Sequence, residues 1–233
     1  MKLRGRRECV DCGERWSYFE RDSVDCPRCG SLRSTAVEEE GTLHTAGGNA
    51  LDLSEARQAV DTAPLGTVAR LAAEASREFL ADRGFIDRGE LRSLDEITVA
   101  VAELRQVANR LRRSIEPEED AEWYLLALLR GAEDGERPEE VPQGFEAVRG
   151  LAIAAAVERY RVDMVRYLEA DPDPEARRAL GTLRDHLRRV EALDGDVPVE
   201  HSERLLAAVR ELGAYLQGDE GALARAEDRL ARL

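Results

Sequence analysis

The 233-residue chain carries a formal charge of −14, with 48 Asp and Glu against 34 Lys and Arg, of which Lys2 is the only lysine. That length can bury a sizeable core in one or two domains. One N-terminal lysine leaves none for a Gly-x-x-x-x-Gly-Lys phosphate loop or an internal Schiff base. High acidity, near-absence of lysine and few aromatics give the composition of a halophilic, haloarchaeal protein, whose carboxylates keep it hydrated when water is scarce. In molar salt the Debye length is about 3 Å, so net charge bears on solubility more than on attraction of partners.

In chain order, residues 1–35 stand apart. They hold all four cysteines, one of the two tryptophans and the lone lysine, with eight positive and six negative side chains. The cysteines form two Cys-x-x-Cys turns, Cys9-Val10-Asp11-Cys12-Gly13 and Cys26-Pro27-Arg28-Cys29-Gly30, separated by 13 residues. Each turn aims two sulfurs inward, and the following glycine allows a left-handed backbone. The pattern predicts that Cys9, Cys12, Cys26 and Cys29 hold one Zn²⁺, in preference to iron. Four protein ligands leave no open position, so the ion is expected to be structural. A 35-residue piece buries too little surface to fold alone, and metal binding would supply the missing stability. Between the turns Arg15–Glu20 has strand character, with Trp16 and Tyr18 on one face and Phe19 on the other; Arg21-Asp22-Ser23 reads as a turn and 32–37 as a further short strand.

Residues 38–53, with Glu38-Glu39-Glu40-Gly41 and Gly47-Gly48-Asn49, read as an acidic, glycine-containing linker. From Ser54 the pattern is helical. Stretches near 65–82, 120–131 and 145–169 are predicted helices. Ser93-Leu94-Asp95-Glu96 reads as a capping box with serine as N-cap. It opens a stripe of Leu94, Ile97, Val101, Leu104, Ala108, Leu111 and Ile115. Asp173-Pro174-Glu175 marks another start, followed by Ala176, Leu180, Leu183, Leu187 and Val190. Further stripes are Leu205, Val209, Leu212, Leu216 and Leu223, Ala226, Leu230, Leu233. The expected architecture is mainly α: a zinc ribbon of short antiparallel strands (1–37), a linker (38–53) and an all-helical bundle (54–233).

Two longer likenesses rest on these residues. Cys9-Val10-Asp11-Cys12-Gly13 with Cys26-Pro27-Arg28-Cys29-Gly30-Ser31 resembles a zinc ribbon of the transcription-factor-IIB type. The opening Arg4-Gly5-Arg6-Arg7-Glu8-Cys9, Cys12-Gly13-Glu14-Arg15-Trp16-Ser17-Tyr18 and Cys29-Gly30-Ser31-Leu32-Arg33-Ser34 is similar to a family of uncharacterised haloarchaeal proteins with a ribbon ahead of a helical region. The resemblance implies the metal-ligand role for the four cysteines and brings no established activity.

No catalytic constellation is expected. His201-Ser202-Glu203 matches the His-x-Glu of zinc deaminases by letter only, since it follows the cysteines. His44, His186 and His201 are scattered, and the many carboxylates read as a solvated face. Arg4, Arg6 and Arg7 beside Trp16 and Tyr18 are the candidate contacts to phosphates and bases; otherwise the aromatics pad the metal core. The function expected is that of a non-enzymatic docking protein in transcription or nucleic-acid machinery, with a protein partner, or nucleic acid, at the ribbon. The alternative is an interaction scaffold acting through the helices. The longest apolar runs, Trp123–Leu129 and Leu151–Val157, are too short for a bilayer, and no secretory leader is visible, so a cytoplasmic protein is expected.

Overall fold

The structure is a computed structural model that describes residues 2–3, 5–21, 23–37, 41–47, 49–114 and 118–233. It divides into two compact units, Met1–Ala46 with Ile86–Glu90, and Gly47–Phe85 with Leu91–Leu233.

The first unit is built from short strands. β1 (Lys2–Leu3), β2 (Arg6–Cys9), β3 (Arg15–Ser17), the single-turn helix α1 (Tyr18–Arg21), β4 (Ser34–Ala36) and β5 (Thr42–Leu43) follow in order. A three-stranded antiparallel sheet runs β3-β2-β4, with Arg7 opposite both Trp16 and Ala36. Strand β1 pairs with β5, Lys2 opposite Leu43. Thr42–Leu43 therefore forms a strand inside the stretch that composition alone reads as a linker. Its pairing partner lies some 40 residues away, beyond the reach of a local signal.

The same unit takes in a hairpin, β6 (Ile86–Asp87) and β7 (Glu90–Leu91). Arg88 and Gly89 both have positive φ, 53° and 85°, as a two-residue type I′ turn requires. Thr45 N and Ala46 N donate to the Ile86 carbonyl at 2.8 and 3.0 Å, Ile86 N donates to Thr45 Oγ1 at 2.9 Å, and Gly89 N donates to the Leu43 carbonyl at 2.8 Å. His44 Nδ1 accepts from Arg88 N at 3.2 Å and lies 3.5 Å from Asp87.

The second unit is helical: α2 (Ser54–Ala59), α3 (Leu65–Ala81), α4 (Glu96–Leu111), α5 (Glu119–Gly131) with a 3-10 turn (Ala132–Asp134), α6 (Glu146–Tyr167), α7 (Pro174–Ala192), α8 (Val199–Leu216) and α9 (Ala222–Ala231). The mainly helical architecture expected from the stripes is the one observed. Helix α4 packs on α3, α5 and α6, and α6 packs on α7 and α8. Burial follows this placement. In α7 the buried positions are Ala176, Ala179, Leu180, Leu183, Leu187 and Val190, one face of an amphipathic helix. Along α4 the predicted stripe of Leu94, Val101, Leu104, Ala108 and Leu111 is buried, with Ile97 half-buried. Between Thr98 and Leu104 every residue is covered, so that part of the helix is enclosed on all sides while Arg110 is exposed. Ile115, the last position assigned to that stripe, lies outside the described residues, as do Asp22 of the predicted turn and residues 38–40 and 48.

Capping differs from the sequence reading at one helix. Asp173 caps α7 as expected, accepting from Glu175 N and Ala176 N at 2.8 and 2.9 Å with Pro174 behind it. At α4 the cap is Asp95, not Ser93: Asp95 Oδ1 accepts from Thr98 N at 2.7 Å. Arg83 pairs with the same carboxylate, while Ser93 Oγ bonds Gln217. Arg83 tips the choice because it neutralises the aspartate where serine would leave the guanidinium without its counter-ion. No helix among the described residues is long and apolar enough to cross a membrane.

Candidate metal centre

Both knuckles hang from β2 and its neighbours. Cys9 ends β2, and Cys9 N donates to the Glu14 carbonyl at 2.8 Å, closing the first turn; Cys26 N donates to the Ser31 carbonyl at 2.9 Å, closing the second. In each turn the following glycine donates back to the first cysteine, Gly13 N to the Cys9 carbonyl at 3.0 Å and Gly30 N to the Cys26 carbonyl at 2.9 Å. Gly13 and Gly30 have φ of 73° and 71°, the left-handed conformation anticipated for them, which a side chain would strain. The two turns are tied together by Val10 N to the Arg33 carbonyl at 2.9 Å and by Asp11, which accepts from Arg33 Nη1 at 2.9 Å and from Ser31 Oγ.

The result is a cluster in which the Sγ atoms of Cys9, Cys12, Cys26 and Cys29 all lie within 4.8 Å of one another. Cys9 Sγ is 3.6 Å from Cys29 Sγ, and Cys12 Sγ is 3.5 Å from Cys26 Sγ. Sulfurs bonded at 2.3 Å to one tetrahedral ion stand about 3.8 Å apart, so the four residues fit a single metal ion. Cys9 and Cys26 are buried, Cys12 is half-buried and Cys29 is exposed.

Electrostatics around the sulfurs is uneven. The Cys12 thiol is pushed up to about 12: the Glu14 amide favours the thiolate, but burial and hydrogen sharing with the other sulfurs outweigh it. Cys26 is drawn down to about 7, because the amides of Cys29 and Arg28 and the neighbouring thiols overcome its burial. Backbone N–H groups aimed at sulfur are what a metal-bound thiolate needs to spread its charge.

The aromatic residues divide. Trp16, anticipated as a base-stacking candidate, is buried with Cys9 and Cys26 and half-buried Cys12 packs on them; its indole Nε1 donates to the Ser23 carbonyl at 3.4 Å. The sequence places it on one strand face with Tyr18, yet β3 ends at Ser17 and Tyr18 opens α1, half-buried, with its amide on the Gly5 carbonyl at 2.7 Å. A buried indole has no face to offer a base, so Trp16 belongs to the metal core. Arg7 Nε donates to Ser34 Oγ at 2.8 Å across the sheet and Arg6 is exposed on β2. Arg4 lies outside the described residues.

A family model described as a family of unknown function, DUF7117, matches residues 1–230. The chain belongs to the DUF7117 family. The match spans the cysteine knuckles and the helices alike. No curated protein and no solved structure gives a significant match.

Sequence reasoning overlooked one polar cluster in this DUF7117 member, inside the helical unit. Glu103 of α4 is fully buried and accepts from Arg149 Nε at 2.8 Å, from Arg137 Nη1 at 3.1 Å and from the Tyr124 hydroxyl. Arg137 reaches on to Glu203 with two bonds of 3.0 and 3.1 Å, and Arg149 also donates to the carbonyls of Pro138 and Glu139. Burial, and then the charge of Glu103, hold the Tyr124 phenol well above its usual value. The signal was present: Glu103 interrupts Val99-Ala100-Val101-Ala102-Glu103-Leu104, and Arg149 sits between Val148 and Gly150 in another apolar run. A charge inside an apolar run is either an error of register or one half of a pair. Arg137 and Arg149 thereby tie the connection at 137–139 to α4.

His186 of α7 and His201 of α8 line one small cavity with Leu205 and Leu233, while His44 belongs to the first unit. His201 Nε2 lies 2.7 Å from the Leu233 carbonyl while Glu203 faces Arg137, so His201-Ser202-Glu203 builds no joint site. Burial, then Arg189, holds His186 below the usual imidazole value.

Proposed function

We propose that this protein is a non-enzymatic docking protein whose N-terminal unit is a zinc ribbon of the transcription-factor-IIB type. The observation that carries the reading is the cluster of four cysteine sulfurs within 4.8 Å, a donor set of thiolates alone that suits zinc and leaves no position for water or substrate. Zinc bound there would hold the fold of the unit, and Cys9, Cys12, Cys26 and Cys29 would all be thiolates. The ribbon then acts as a recognition head. Val10 and Leu32, 53% and 73% exposed, stand beside the knuckles with Arg28 and Arg33, a mixed apolar and basic surface suited to a protein partner in transcription or other nucleic-acid machinery of a haloarchaeal cytoplasm. Buried Trp16 argues for a protein partner over base stacking.

Affinity capture from a native host in high salt, wild type against Cys26→Ser, tests it. Partners lost in the variant belong to the ribbon; if none depends on it, the docking role fails. Metal content by mass spectrometry tests the ion separately, with one zinc per chain expected. A second reading, a scaffold acting through the helices, is favoured by Trp123, 52% exposed on α5; partners retained by Cys26→Ser and lost on Trp123→Ala would support it.

A further inference from the structure

The helical unit is dominated by carboxylates, yet one of its grooves is walled by guanidinium groups. It lies between α8 and α9, encloses about 510 Å³ and is lined by Arg204, Ala224, Arg225, Asp228, Arg229 and Arg232. Arg225, Arg229 and Arg232 follow at spacings of four and three along α9 and so share a face, while Arg204 comes from α8. The surrounding acids are already spoken for. Arg225 binds Glu211 at 2.8 Å and Asp219 at 2.6 Å, Arg232 binds Asp228 at 2.8 Å, and Arg229 shares Glu211 at 3.4 Å. Four cations thus face three carboxylates. The surplus falls on two residues. Arg204 donates to the Arg232 carbonyl at 2.8 Å and meets no carboxylate among the described residues, and Arg229, 43% exposed, commits only Nη2 to Glu211 at 3.4 Å.

Among the described residues Asp228 is held by Arg232 alone, whereas Glu211 already bridges Arg225 and Arg229, so guanidinium groups here converge on one anion. Two guanidinium groups with spare donors on one cavity suit an anion with more charge and more oxygens. Arginine's planar fork matches phosphate oxygens two at a time, and the volume is that of a small-molecule site. The acidity of the chain does not forbid this, since at 0.15 M salt repulsion fades within about 8 Å, whereas the groove acts by contact.

We propose that the α8–α9 groove binds a phosphate group, free or as the monoester of a small molecule, through Arg204 and Arg229 with Arg232 at the rim. The site is independent of the ribbon and of the docking role. The test is calorimetric titration of the full chain in chloride buffer with inorganic phosphate in one arm and glycerol 3-phosphate in the other. Saturable binding of one ligand per chain is expected. Removing a charge-assisted bond by Arg204→Gln or Arg229→Gln should weaken it about 10- to 100-fold, and Arg77→Gln, on the exposed face of α3, should leave it unchanged. Preference for phosphate assigns the groove to the free anion, and preference for the ester assigns it to a phosphorylated compound; both support the proposal. No saturable binding in either arm, or binding by both groove variants as tight as wild type, overturns it. Should Arg229→Gln melt early through loss of Glu211, Arg204→Gln decides, because Arg204 gives up only a carbonyl.

Discussion

The two units are held together by opposite means. The ribbon's buried apolar set is Cys9, Trp16 and Cys26 with half-buried Cys12 beside them, so its centre is the metal-ligand set itself. The helical unit buries part of one helix on every side and can afford, deep within it, a carboxylate shared by two arginines and a tyrosine. Where apolar surface is scarce the fold would lean on an ion held by the cysteines; where it is plentiful the chain can carry an internal charge network whose value is positional.

The comparison breaks most sharply at the knuckles. Zinc binding contributes on the order of 10–16 kcal/mol in small zinc domains, so a chelator or Cys26→Ser should abolish the folded signature of Trp16 fluorescence and leave the far-ultraviolet helical signal nearly intact. If both signals fall together, the units are not energetically separate. Next in size is Glu103→Ala, which takes from buried Arg149 its close counter-charge, leaving Glu203 at 3.8 Å, and should cost about 3–5 kcal/mol, seen as a lowered midpoint of helical unfolding with zinc content unchanged. Replacing Glu103 and Arg149 together by Leu and Met should recover much of that loss, since a buried pair is often no better than an apolar one.

A smaller effect is expected at Asp95. Burial works against its ionisation, but Arg83 and the Thr98 amide outweigh it and hold the carboxyl below the usual range. The native pKa is below that of the unfolded chain, about 3.9. The stabilisation is therefore complete above that value and is lost as pH falls through the native one. Asp95→Ala should cost about 1 kcal/mol at pH 7, with the gap between wild type and variant closing below about pH 4 in denaturant melts. Smallest of all is Arg15→Ala, which removes an ion pair to Glu8 whose arginine is 70% exposed. Neither unit's melting point should move measurably.

Sequence reading succeeded where a residue's role is set by near neighbours. Each Cys-x-x-Cys turn taken singly, its glycine and the Asp173-Pro174 start depend on contacts within about five positions. It slipped where a distant group decides. Ser93 satisfies the letter of a capping box, yet Arg83 favours Asp95. Strand β5 and the 86–90 hairpin have only two residues per strand, too few for a period, and the turn uses Arg-Gly where Asn-Gly or Asp-Gly is the usual cue. Glu103 was hidden by its abundance class, one acid among 48. The four cysteines were legible as a metal site because their spacing encodes the geometry; the arginine groove was not, since Arg204 joins it from another helix.

The hairpin at Ile86–Glu90 also sets an order of events during synthesis. Strands β2 to β4 and all four cysteines are available once residue 36 has emerged, so the metal knuckles can close early. The remainder of that unit waits for its final five residues, which leave the ribosome after α2 and α3. At 5–20 residues per second that delay is roughly 3–11 s, during which the nascent chain would display a closed metal head beside an unfinished edge. An isolated fragment ending at residue 53 would remain in that condition permanently.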